Sequence, residues 1–567
     1  MPQAMPQTTP QIDPRTDPRT FSGSSDSPFL RDGSVYALLA RQAGRFADHD
    51  LFVLPEAVRA LWDEGQNRWS YGAALAEIDA LSARFAAAGI GRGDRVALLL
   101  ENRPAHFLTW LALNRLGGVM VPVNPQASAE EIGYLLSHSE ARLLIRLPKY
   151  AGTADPVAAG LGLPALAPGD PLPQIRQAAP AGGADLEGDC ALIYTSGSTG
   201  KPKGCLLSNR YFLNWATWYS AQGGAISLRQ GQERLMTPLP TFHVNSTGHS
   251  FLGMLSCGGA QIIIDRFHPR SWWRDAIDCE ATCFHYLGVM PAILLELPEA
   301  PEDRGHKMRY GLGGGVHPDH HARFEARFGV PLLEGWAMTE TGGAGTFCTP
   351  EEPRHVGSRC IGRPDRPGPA LQIRLVDEEG QEVPRGTPGE LLLRAAGDNP
   401  REGFFSGYLK DPEATEAAWA GGWLHTGDVM RQGADGSLFF VERRKNIIRR
   451  SGENIAAAEV ELAIQTVPGV SAVAVLPTPD PLRDEEVLAV VVPTAEAGED
   501  AALAQAILET CAARLTYFKV PGYIVFQDSL PTTSTQKVRK PALRQLAADP
   551  LAAPRCIDLR EQKQALR

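Results

Sequence analysis

The apolar positions alternate between two periods along most of the chain. Leu75, Ile78, Leu81 and Phe85 recur at helical spacing, and Gly89 is placed to end that helix. Val96 to Leu100 is a compact apolar run suited to a buried strand. A second helical stretch covers Ala105 to Leu116, followed by Gly117-Gly118 and a strand through Val119 to Val123. Helices alternating with short apolar strands predict a parallel or mixed sheet covered by helices. Residues 151–188, dense in Ala, Gly and Pro, predict a surface connection. The character changes near residue 440, where Phe439-Phe440-Val441 precede shorter α/β units. Val473 to Leu476 and Val487 to Val492 predict strands of a smaller C-terminal domain, and the last twenty or so residues predict helix and tail. The fold class expected is α/β: a large N-terminal domain of mixed sheets, then a smaller α+β domain.

With 567 residues, 43% of them hydrophobic, the chain can bury several cores and build more than one domain. Its net charge of −10 argues against a general nucleic-acid binder, although one local phosphate site can still be basic. The nine cysteines are scattered, without a C-x-x-C pair, which suits a reducing cytoplasm. Cys279, Cys283 and His285 lie close together, but the apolar run around Cys283 predicts a buried strand and not a metal cluster. No apolar stretch approaches 18 residues, so no transmembrane helix is expected. The first 25 or so residues, rich in Pro, Thr and Gln, lack the apolar core of a signal peptide and predict a disordered tail.

The segment Tyr194 to Gly204, YTSGSTGKPKG, carries the first chemistry. Gly197, Gly200 and Gly204 are interleaved with the hydroxyls of Thr195, Ser196, Ser198 and Thr199, and Lys201 and Lys203 follow. Glycines let backbone amides turn inward, and amides, hydroxyls and an ammonium together cradle phosphate oxygens. The apolar run Ala191 to Tyr194 predicts a strand feeding this loop. Gly197 and Gly200 are too close for a P-loop of the G-x-x-x-x-G-K-[ST] kind.

Four more segments follow in order: EGWAMTE (Glu334 to Glu340), GWLHTGD (Gly422 to Asp428), ERRKNIIRRSGEN (Glu442 to Asn454) and LPTTSTQKVRK (Leu530 to Lys540). With the glycine loop they make the chain resemble the adenylate-forming superfamily of acyl- and aryl-CoA ligases, luciferases and peptide-synthetase adenylation domains. The resemblance spans about residue 30 to residue 547. It implies transfer of AMP from ATP onto a carboxylate, which turns an oxide into a leaving group that a thiol can displace. By resemblance, Thr195, Ser196, Gly197, Ser198, Thr199, Gly200 and Lys201 hold the β- and γ-phosphates. Glu340 would help hold Mg²⁺, with Thr339 beside it on the α-phosphate. Glu334, Gly335 and Trp336 would meet adenine, and Gly313, Gly314 and Gly315 would bring backbone close to adenine and acyl group. Asp428 and Arg443 would take the ribose hydroxyls. Lys537 matches the late catalytic lysine.

The resemblance also implies a rotation of the small domain about a hinge at Lys445, dividing the chain into a tail (1–25), an ATP- and acid-binding domain (26–444) and a mobile domain (445–567). Lys537 would then leave the site and the face carrying Ser451, Gly452 and Glu453 would approach, so that coenzyme A can attack the adenylate. For the acid, His243, Val244, Asn245 and Ser246 match the segment that walls the acyl site, with Gly315, Ala337 and Met338 opposite. Two departures stand out: the frequent Tyr-Gly pair is Trp336-Ala337 here, whose methyl predicts a compact pocket, and Gln536 replaces a frequent glycine before Lys537. Phe284 to Gly288 and Leu482 to Glu485 look most like carnitine/crotonobetaine-type CoA ligases, which points to a small polar, compact or aromatic acid. The expected partners are ATP, coenzyme A and a small carboxylic acid, and the oligomeric state is not readable from the sequence. Two alternatives share most of these residues: an adenylating enzyme loading a separate carrier protein, and a non-catalytic nucleotide-binding regulator.

Overall fold

The computed structural model describes residues 20–21, 27–195, 202–450, 453–481, 483–532 and 538–565, excepting the side chains of 20, 21, 445, 453, 454 and 484. Its architecture is α/β, with three sheets preceding residue 444 and one following it. The expected helices and strands are present: Tyr71–Ala87, Arg95–Leu99, Pro104–Arg115 and Val119–Pro122 follow in that order.

The first of the large sheets has seven strands, in the order Gly407–Tyr408, Lys203–Ser208, Asp189–Thr195, Val119–Pro122, Arg95–Leu99, Leu143–Arg146 and Ala165–Leu166. Its centre is parallel, as helical crossovers require, and the glycine loop interrupts an antiparallel pair at one side. The second has eight strands, centred on Cys283–Leu287 between Tyr310–Gly314 and Arg234–Thr237. Cys283–Leu287 is the buried strand that its composition predicted. A third, antiparallel sheet includes Leu371–Val376, Pro388–Ala395, Leu424–Gln432 and Leu438–Arg443.

One core joins the first two sheets. Ile193 and Leu207 from one, and Leu235, Leu312 and Leu333 from the other, belong to a single cluster with the helix Asn209–Ala221. That helix starts at Ser208, whose hydroxyl accepts from the Tyr211 amide, a cap contributing about 1 kcal/mol. It is buried nearly all round, as a helix enclosed between layers should be, with Tyr211, Trp215, Trp218 and Tyr219 among its buried residues.

After Arg443 the chain makes one short turn, Arg444–Asn446, and enters the last sheet at Ile447–Arg450. The paired strands Val470–Asp480 and Asp484–Pro493 of this sheet contain the two apolar runs read from the sequence. Three sequence expectations are corrected. Residues 151–188 are not all connection, because Ala151–Gly160 is a helix and Ala165–Leu166 extends the first sheet. The last twenty residues include a strand, Cys556–Asp558, paired with Tyr523–Phe526. Thr20–Phe21, inside the expected tail, pair with Gln372 and Leu371. Short segments such as these are fixed by pairing with distant strands, which local periodicity does not register.

Candidate active site

Two strands of the eight-stranded sheet carry the glycine triplet and the Glu334–Trp336 segment side by side. A Cβ on Gly313 would fall 2.2 Å from the Tyr286 carbonyl, so only glycine fits there. Gly315 turns at φ +80 with open space beside it. Glu334 is buried, and its Oε1 accepts from the amides of Gly315 (3.2 Å) and Val316 (3.1 Å). Its carboxylate therefore braces the glycine turn from within the protein. Burial raises the Glu334 pKa against the pull of His321 and these amides.

The strand ends at Trp336, whose indole Nε1 donates to Asp428 Oδ2 at 2.8 Å. Asp428 is only 1% exposed. It sits on the strand Leu424–Gln432 directly opposite Arg443, whose Nε lies 3.0 Å from Asp428 Oδ1. A buried carboxylate is costly unless paired, and indole and guanidinium compensate it on its two oxygens. The neighbouring Arg444 donates to Glu390 Oε2 at 2.9 Å, so the first two arginines of the basic run are engaged with the third sheet.

Past Trp336, Ala337 is exposed and Met338 is half-buried. The carbonyl of Thr339 accepts from the Tyr211 hydroxyl at 2.8 Å. Glu340 is 8% exposed, and its Oε1 accepts from the Tyr408 hydroxyl at 2.9 Å. Burial and then the Glu340 charge push the Tyr408 phenol far up, so it stays a donor at neutral pH. Among the described residues no Lys or Arg forms an ion pair with Glu340, which leaves a nearly buried carboxylate without a counter-charge. That is the environment of a hard oxygen ligand for a divalent cation.

The strands flanking the glycine loop lie beside the strand that carries Tyr408, the partner of this carboxylate. Thr195 pairs with Lys203, and Cys205 pairs with Tyr408 on the short strand Gly407–Tyr408. The Lys203 ammonium stands 4.9 Å over the Tyr408 ring. Ser196, Gly197, Ser198, Thr199, Gly200 and Lys201 lie outside the described residues, as do Ser451, Gly452 and Lys537, and the side chains of Lys445 and Glu453. Lys203 belongs to the glycine-loop motif read from the sequence, and Tyr408 lies in no motif that the sequence reveals. Only the pairing of residues 407–408 with the loop strand reveals Tyr408.

On the acyl side, His243 sits in a turn with its amide donating to the Pro240 carbonyl, and its ring packs against Phe242 at 4.5 Å. Val244 is buried, and Asn245 and Ser246 open a single π-helical turn, Asn245–Ser250. Such turns are frequent at functional sites. The structure thus joins Trp336, Asp428 and Arg443 in one cluster and Glu340 with Tyr408 in another.

The AMP-binding enzyme family matches residues 39–409, and the AMP-binding enzyme C-terminal domain matches residues 459–537. The chain belongs to the AMP-binding enzyme family. It is 30% identical over 500 residues to a crotonobetaine/carnitine–CoA ligase of Proteus mirabilis, covering 84% of this chain and 93% of that one. A sulfoacetate–CoA ligase of Cupriavidus necator is 31% identical over 528 residues, covering 89% of this chain and 96% of the relative. Among solved structures, ATP-bound MatB from Rhodopseudomonas palustris superposes with a TM-score of 0.75 at 25% identity, over 90% of this chain and 99% of that one. An anthranilate CoA ligase holding anthranoyl-AMP shares the fold, with a TM-score of 0.80 at 22% identity over 93% of this chain. Among the described residues no helix is long and apolar enough to cross a membrane.

Proposed function

We propose that this AMP-binding enzyme is an ATP-dependent acid–CoA ligase acting on a compact carboxylic acid. In the first half-reaction a carboxylate oxygen attacks the α-phosphorus of ATP, forming acyl-AMP as the bond to pyrophosphate breaks. In the second, the thiolate of coenzyme A attacks the acyl carbon, forming the thioester and releasing AMP. The observation that carries this reading is the pair of carboxylates at the two ends of one segment. Asp428 is held by Trp336 and Arg443 on one side, and among the described residues Glu340 has no counter-charge on the other.

Each group has a definite task. Asp428 and Arg443 present an acceptor and a donor to the ribose hydroxyls, fixing the nucleotide so that the α-phosphorus faces the acid. The Gly313–Gly315 backbone lies close against the adenine and acyl groups. Glu340, with Tyr408 donating to one oxygen, would hold Mg²⁺, which when bound neutralises phosphate charge. Thr195 and residues 196–201 take the β- and γ-phosphates, and Lys537 stabilises charge on the α-phosphate during adenylation. The one-turn connection Arg444–Asn446 supports a hinge at Lys445, with residues 26–444 binding ATP and acid and residues 445–567 rotating between half-reactions. His243 and Val244 wall the acyl site. The cysteines, none of them disulfide-bonded, support a cytoplasmic location.

Two assays test this reading: acid-dependent ATP–pyrophosphate exchange, and AMP release that requires coenzyme A, across a panel of short, polar and aromatic acids. Exchange with AMP release only when coenzyme A is present supports the ligase. Exchange without any CoA-dependent release points to a carrier-protein acceptor, and no exchange with any acid overturns catalysis.

A further inference from the structure

The buried groups behind the acyl wall are unevenly satisfied. His285 is fully buried and engaged on both nitrogens, by Ser250 Oγ (2.7 Å) and by the Tyr219 hydroxyl (3.2 Å). Its neighbour His249, 4.4 Å away between ring centres, is 8% exposed and stacked on Trp215, yet its Nε2 has no hydrogen-bond partner among the described residues. The same holds for Trp218 Nε1, whose ring meets His249 edge-on at 5.2 Å, and for Gln261 Oε1 and Asn245 Oδ1. Trp218 and Gln261 are at most 1% exposed. Gln261 reaches the π-helical turn through Ser246, and Asn245 and His249 lie four residues apart on that turn. Buried polar groups are almost always paired, so these four, with Trp215 Nε1 beside the same turn, call for a polar ligand that completes them.

We propose that Asn245, His249, Trp218 and Gln261 form the far wall of the acyl site. They select a short carboxylic acid whose tail ends in a neutral group that both donates and accepts hydrogen bonds, a hydroxyl or primary amide. The inference rests on the ligase reading above and names its substrate class. Asn245 adjoins the expected acyl wall, and His249 lies about one helical turn deeper, on the order of 5 Å. This span fits a tail a few bonds long. The cluster holds an indole donor, two amides and an imidazole, which complement a group with both hydrogen-bonding roles. Burial alone pushes His249 down to about 3, with no charged neighbour contributing, and burial likewise pushes His285 far down, so both rings are neutral. A charged tail would be stripped of water there without a counter-charge.

The test compares tails that differ in one group. CoA-dependent AMP release is measured for 4-hydroxybutyrate, pentanoate, glutarate and 4-aminobutyrate, for the same four tail types one methylene shorter and longer, and for benzoate. The hydroxy acid should exceed its methyl counterpart in kcat/KM by about 100-fold or more, because a site built to bond a hydroxyl rejects the analogue lacking it. His249→Phe, which keeps a ring against Trp215, and separately Asn245→Leu, should bring that ratio to within about tenfold. A methyl or charged tail preferred by the parent overturns the inference and leaves the ligase standing, as does a ratio that neither variant moves. AMP release with none of the acids removes the ligase reading, and this inference with it.

Discussion

The Trp336 indole donates to Asp428 at 2.8 Å, so the residue expected against adenine also orients the carboxylate expected at the ribose. Trp336→Phe keeps an aromatic face but removes the donor from a carboxylate that is 1% exposed. A lost hydrogen bond to a charged group is worth about 1.5–3 kcal/mol, so the ATP KM should rise by roughly 10- to 150-fold with a smaller change in kcat. Asp428→Ala should weaken ATP at least as much. The double variant should cost less than the sum, as expected for groups in contact. Unchanged ATP affinity in Trp336→Phe would show that Arg443 alone positions Asp428.

Glu340→Gln removes the uncompensated charge but leaves an oxygen for the Tyr408 hydroxyl. Adenylation, followed by pyrophosphate exchange, should fall by about 100-fold or more, the scale of losing one transition-state electrostatic partner. Tyr408→Phe should fall less, by about 10-fold, the lower end for one hydrogen bond to a charged group at about 1.5 kcal/mol. Equal losses in the two variants would mean that Glu340 acts only through its tyrosine.

Lys537→Ala should abolish adenylation and largely spare thioester formation from presynthesised acyl-AMP. Its ammonium is needed only while charge moves on the α-phosphate. Rapid-quench assays of each half-reaction separate the two, and equal loss in both would remove this role.

Ala337 is exposed just beyond the buried Trp336, at the position expected to limit the acyl pocket. Ala337→Gly should admit longer or bulkier acids. One methylene in a fitted pocket is worth about 1–3 kcal/mol, so ratios of kcat/KM between adjacent chain lengths should move by about 10- to 200-fold. Efficient turnover of a long-chain fatty acid by the parent would overturn the compact pocket.

In the small domain, Lys563 Nζ lies 2.5 Å from Glu486 Oε1, and Arg450 Nε donates to both Glu486 oxygens. Burial outweighs the pull of Glu486 and lowers the Lys563 pKa to about 8. A base with a depressed folded pKa binds fewer protons folded than unfolded, so its contribution to stability rises with pH from about 8 to the unfolded value of 10.5. Lys563→Met should therefore be neutral or stabilising at pH 7, because Arg450 still pairs Glu486, and the rise between pH 8 and 10.5 should flatten. Urea unfolding at pH 7 and at pH 9.5 checks this, and destabilisation beyond about 2 kcal/mol at pH 7 would contradict it.

The sequence by itself determined the elements and the chemistry that local order encodes. Helical spacing at Leu75, Ile78, Leu81 and Phe85, the apolar runs of the strands and the five ordered motifs are all short-range signals. Hydrophobic period acts within a few residues, whereas the requirement for glycine at 313 comes from the Tyr286 carbonyl on the neighbouring strand. Tertiary structure alone decided what depends on pairing across long intervals. The bond from Trp336 to Asp428 spans 92 residues, and Tyr408 reaches Glu340 only because residues 407–408 add a strand beside Lys203–Ser208. The strands Thr20–Phe21 and Cys556–Asp558 exist for the same reason, since a segment of two or three residues has no period of its own. The contrast between a satisfied His285 and an unsatisfied His249 is likewise invisible in the chain. It depends on which hydroxyls the packed helix Asn209–Ala221 and the π-helical turn bring within reach of each ring.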